Sequence, residues 1–144
     1  MSSSLSLSQT DVRPRRPLHV SLWIAQILLA GMFGMVGFMK IATPIAVLAQ
    51  KMAWVTGAPA LVRFIGICEL AGAIGLILPT AFKIVPKLAG FAATGLLAIM
   101  VLAVPFHIYR GEARVIAVPV LMGVLAAFVS WGVSEPLRFR HANE

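Results

Sequence analysis

The chain has 144 residues, 60% of them hydrophobic and 12% charged, with a formal net charge of +7. A soluble domain is about 45–50% apolar and about 25% charged, so this composition excludes an ordinary soluble domain and predicts one compact membrane domain. The basic residues gather at the ends of apolar runs, where they fix orientation in a bilayer; this points to the lipid bilayer as partner and away from nucleic acid.

Residues 1–17, MSSSLSLSQTDVRPRRP, are Ser-rich and then basic, and read as a flexible basic tail. The first apolar run, 18–39, is too long for a signal-peptide core and reads as a retained spanning helix, with Gly31, Gly34 and Gly37 as a thin packing stripe. Lys40 ends it. Thr43-Pro44 looks like an N-cap with proline at the first helical position, predicting a short helix from Pro44 to about Val55. That helix cannot span and fits an interfacial or re-entrant position, with Trp54 at headgroup level.

The second span, 60–78, is expected to stop at Pro79, followed by a loop carrying Lys83 and Lys87. The third, 88–108, contains Pro105, which should bend it just before His107. A tight charged turn, Tyr109 to Arg114, leads to the fourth span, 115–133, with the small pair Gly123 and Ala127. Residues 135–144 form a polar tail. The predicted fold is thus an all-α, integral membrane four-helix up-down bundle over residues 18–134, with a short interfacial helix between the first two spans.

Four spans put both termini on one side. That side collects Arg13, Arg15, Arg16, Lys83, Lys87, Arg138 and Arg140, seven basic residues, against five on the other, Lys40, Lys51, Arg63, Arg110 and Arg114. The positive-inside rule then places both termini in the cytoplasm.

The second span, LVRFIGICELAGAIGLIL, carries Glu69 near its middle. A carboxylate at bilayer depth costs roughly 2.5–3.5 kcal/mol on insertion scales, so it needs a partner or a function. Lys40, Arg63 and His107 come from three different helices and share its leaflet. Arg63 lies six residues away on the same helix and so faces another side, which leaves Lys40 and His107 as the better partners, directly or through water. Lys40 and Arg63 also have a plainer reading as headgroup anchors at helix ends, and His107 as a hydrated residue. Glu112 and Glu135 read as solvated turn charges, and Cys68 as a small core residue.

The single cysteine excludes an intrachain disulfide and a multi-cysteine metal site. No histidine pair stands at ligand spacing and no glycine-rich phosphate loop follows a strand. His107 falls opposite His19 and His141, against a bis-histidine haem. The sequence therefore predicts no metal site and no covalently bound cofactor.

Gly37-Phe38-Met39-Lys40, Gly66-Ile67-Cys68-Glu69-Leu70-Ala71-Gly72, Leu76-Ile77-Leu78-Pro79 and Phe106-His107-Ile108-Tyr109-Arg110-Gly111-Glu112, in this order, resemble the pattern of the DoxX-like family over about Ile24 to Val133. The family pattern has G-x-x-K closing the first helix, an amphipathic stretch, then G-x-x-E-x-x-G and L-x-x-P in the second, and a histidine with a basic turn after the third. The resemblance implies a small four-helix protein of the bacterial inner membrane and supports Lys40, Glu69 and His107 as its polar positions. The family takes its name from a subunit of a thiosulfate:quinone oxidoreductase, although most members have no assigned activity.

Three functions are consistent with these residues. The first is an accessory of a membrane redox system that binds a quinone or lipid-like ligand near Glu69, with Lys40, His107 and Arg63 as ligand-binding or proton-relay candidates. The second is a non-catalytic assembly or structural subunit of a larger membrane complex, alone or as a homo-oligomer. The third is a proton-coupled small transporter or pore. A stand-alone enzyme ranks below all three.

Overall fold

A computed structural model describes residues 16–82 and 86–141. Arg13, Arg15 and Lys83 lie outside the described residues, as do the side chains of Arg16, Glu135, Arg138, Arg140 and His141. Helix α1 runs over Arg16–Ala42, α2 over Ile45–Ala49, α3 over Pro59–Phe82, α4 over Pro86–Tyr109 and α5 over Ala117–His141; single 3-10 turns occupy Ala53–Thr56 and Ala113–Val115. Among the described residues there is no strand. Among the described residues four helices are long and apolar enough to cross a membrane: α3, with 24 residues, reaches about 36 Å at about 1.5 Å per residue, against about 30 Å of hydrocarbon.

The long helices close a ring in which α1 packs on α3, α3 on α4, α4 on α5 and α5 back on α1. Each contributes to one central core, with Leu29 and Phe33 from α1, Leu76 from α3, Leu96 from α4, and Ala126 and Val129 from α5. The outside is as apolar as the inside. Phe38, Phe64, Phe91, Leu102 and Val124 are all more than 60% exposed, a surface that water would disfavour and lipid would not. Small residues set the spacing: Gly72 lies under Leu96, Gly75 under Ala92 and Gly132 under Leu22.

Three local expectations need correction. Pro79 does not end its helix; α3 continues to Phe82 with Pro79 buried inside it. A proline removes one backbone donor, here the one that would serve the Gly75 carbonyl, a loss that a packed helix in lipid tolerates; the Thr80 hydroxyl bonds the next carbonyl, that of Leu76, at 3.2 Å and does not replace the lost bond. The helix expected over Pro44 to Val55 is broken into α2 and the 3-10 turn, and Thr43 does not cap it, Pro44 occupying the N-cap with no side-chain hydrogen bond. The glycine stripe on α1 is used unevenly. Gly37 touches α3 backbone, Gly34 makes only an ordinary contact with Ala73, and Gly31 faces open space.

Candidate functional site

The buried stripe of α3 is Val62, Gly66, Glu69, Ala73, Leu76 and Pro79, spaced by three and four so that all point into the bundle. Glu69 is therefore an inward residue, 2% exposed. Its Oε1 accepts a hydrogen bond from Lys40 Nζ at 2.6 Å, and the Lys40 side chain is 12% exposed.

Two glycines make that pairing reachable. At Gly37 an added Cβ would stand 2.8 Å from the Gly66 carbonyl oxygen and 2.9 Å from the Leu70 backbone nitrogen, with Glu69 Cβ at 3.1 Å. At Gly66 it would stand 2.8 Å from Lys40 Cβ and 2.9 Å from the Gly37 carbonyl oxygen. The arrangement is reciprocal. On each helix the glycine stands three residues before the charge, and because the helices are antiparallel, Gly37 faces Glu69 while Gly66 faces Lys40. The backbones touch, and each charged stem lies over the other helix's missing side chain.

Arg63 does not pair with Glu69. Its Nη1 donates to the carbonyl oxygens of Lys40 and of Ile41, the latter at 2.7 Å. These belong to the last turn of α1, where carbonyls lack helical partners and carry the negative end of the helix dipole. One cation thus answers the carboxylate and the other answers the helix end, whose dipole offsets about half of a unit charge. Two side-chain oxygens are buried without a hydrogen-bond partner among the described residues, Glu69 Oε2 in this group and Gln26 Oε1 on α1.

His107, the other partner expected for Glu69, is engaged elsewhere. Its Nδ1 donates to Glu112 Oε2 at 2.7 Å, and Arg110 Nε donates to Glu112 Oε1 at 2.8 Å. The cause is local. Gly111 adopts φ 70°, with its N–H on the Ile108 carbonyl and the Glu112 N–H on the His107 carbonyl, the Schellman closure that glycine favours after a helix. This folds Glu112 back over the last turn of α4. Glu112 is thus a bonded partner and not simply a solvated turn charge, and the His107 and Arg110 donors hold its carboxyl below the ordinary 4.5. A glycine two residues past the helix end, followed at once by Glu112, is the sequence signal that points to this closure.

Phe106 links this rim to the short segment between α1 and α3. Its ring meets Trp54 edge-on at 5.1 Å, and the Arg110 guanidinium lies 5.8 Å over it. An apolar groove of about 720 Å³ runs between α3 and α4, lined by Cys68, Gly72, Gly75, Ala92, Leu96 and Ile99 among others. Cys68 thus lines a groove and is only half-buried. Glu69 is not among the lining residues. No group of three His, Cys, Asp or Glu side chains among the described residues is placed to hold a metal ion.

The model of the DoxX-like family matches residues 24–129. No curated protein and no solved structure matches the chain.

Proposed function

This chain belongs to the DoxX-like family, and on that premise we propose that it is an accessory of a membrane redox system, holding a quinone or lipid-like ligand at the Lys40–Glu69 pair. The observation that carries the reading is Glu69 Oε2, a buried carboxylate oxygen with no partner among the described residues. Such an atom forfeits a hydrogen bond that it would make in water, at a cost of about 1–3 kcal/mol or more. With Lys40 on Oε1 and Arg63 on the end of α1, what Glu69 Oε2 lacks is one hydrogen-bond donor. The hydroxyl of a quinol, the reduced form of a quinone, or of a lipid would supply it, whereas a quinone carbonyl would take a hydrogen bond from Lys40, which has two more ammonium N–H groups. Electrons would come from the ligand itself or from a partner in the complex. The redox assignment and a bacterial inner-membrane location rest on the family resemblance, and the proposal of both termini in the cytoplasm rests on the seven-to-five distribution of basic residues.

The test is purification in mild detergent, a visible spectrum, and solvent extraction with mass spectrometry of what leaves the protein. A stoichiometric quinone or single lipid species, retained by the wild type and lost from Glu69→Gln, is the expected outcome. Only bulk lipid in both proteins sinks it. A second reading, a non-catalytic assembly subunit, is favoured by the glycine crossing, because a pair clamped between touching backbones can serve as a purely structural tie. In that case a captured membrane complex would be unaffected by Glu69→Gln.

A further inference from the structure

We propose that residues 44–56, α2 with the 3-10 turn after it, form a lid over Glu69 that Trp54 latches onto Phe106. The inference rests on Glu69 being the polar centre of the site, as argued above, and not on the identity of its ligand.

Glu69 Oε2 is enclosed, so any donor that satisfies it has to enter. The α1–α3 wall cannot open easily, because there backbone meets backbone at Gly37 and Gly66 and the Lys40–Glu69 bond crosses it. The outer end differs. Beyond the crossing at Gly66 the buried stripe of α3 ends at Val62, about 10 Å along the helix axis from the Glu69 backbone at about 1.5 Å per residue. Val62 is covered by Leu48 and Val55 of the segment, and these three make a small cluster separate from the central core. The segment's hydrogen bonds are local, running from Pro44 to Ala58 within itself, and among the described residues none of its side chains bonds to a spanning helix. Few buried contacts and only local hydrogen bonds mark a unit that opens at low cost. Beyond the cluster, its ring contact with the rest of the bundle is Trp54 on Phe106, whose helix end the His107–Glu112–Arg110 group holds in place.

Opening can be read without any ligand. Full-length protein in detergent is treated with dicyclohexylcarbodiimide, a hydrophobic reagent for carboxyl groups, and modification of Glu69 is timed by mass spectrometry. Trp54→Ala and Phe106→Ala should each raise the rate about fivefold, the scale of one aromatic edge contact. Ile74→Ala, a change on the exposed face of α3, should leave it unchanged. In the converse arm, Trp54→Cys with Phe106→Cys in a Cys68→Ser background is bridged by a short bis-thiosulfonate. The bridge should slow labelling below the unbridged protein, and reductant should restore it. Equal rates in the bridged and reduced forms, or no labelling of Glu69 in any folded variant, overturn the lid. The bridged arm decides the matter even if Trp54→Ala fails to fold. A lid that opens on a protein retaining no ligand would count against the proposed function and leave this inference standing.

Discussion

Among the described residues two carboxylates stand in hydrogen-bonded contact with cations, and they are built by opposite means. Glu69 meets Lys40 inside the bundle, across two helices whose backbones touch. Glu112 meets His107 and Arg110 at the rim, within one helix end and the turn that closes it. The first bond is long-range and buried, so losing a partner strands a charge in a medium that cannot solvate it. The second is short-range and open to water, so each partner has solvent to fall back on. The same chemistry therefore acts as a tie between helices in one place and as a trim on a turn in the other.

The comparison breaks first at Lys40. Lys40→Met leaves Glu69 without its cation and should destabilise the bundle by about 2.5–3.5 kcal/mol, measured by thermal or denaturant unfolding in detergent. A loss below about 0.5 kcal/mol, the scale of an inert surface change, would mean that the interior pair is no different in kind from the rim. The next test removes the approach and keeps the charges. Gly37→Ala pushes a methyl group into the α3 backbone and should cost about 1–3 kcal/mol, while Gly31→Ala, facing open space, should be neutral or gain up to about 1 kcal/mol of helix propensity. Equal effects at the two glycines would refute the reciprocal crossing. Removing both charges together, Lys40→Met with Glu69→Leu, should recover most of the single-variant loss and fall within about 1 kcal/mol of the wild type.

The smallest effect belongs to the rim and has a sign in pH. Glu112 is held below its ordinary 4.5 by the His107 and Arg110 donors, so between the lowered value and 4.5 the folded chain binds fewer protons than the unfolded one. Its contribution is fully present above that ordinary value and is lost as pH falls through the lowered one. The stability difference between wild type and Glu112→Gln should accordingly be seen at neutral pH and vanish in acid. A difference that grows on acidification would reverse the assignment.

Spanning helices are legible in this sequence because lipid demands long uninterrupted apolar runs, and Glu69 is legible because a lone carboxylate interrupts one. The need for Lys40 or His107 beside it follows from cost and topology. What chooses between them does not, since it depends on where two backbones touch. Gly37 stands at the same spacing as Gly34 and Gly31, and only the crossing with α3 distinguishes it. Pro79 misleads for a related reason: a rule framed for helices in water gives way when packed neighbours hold the helix together around one missing bond. The fate of His107 was open to a closer local reading through Gly111.

The order of the two halves of the interior pair along the chain bears on biogenesis. Lys40 is carried by the first span and Glu69 by the second, so when the ribosome delivers the costly acid, its counterion has already been made and waits at the membrane surface. Insertion of α3 is therefore expected to proceed by docking against α1, and not as a solitary apolar segment. A nascent chain truncated after Phe82 should then integrate less efficiently when Lys40 is Met, as glycosylation-site mapping of the inserted fraction would report.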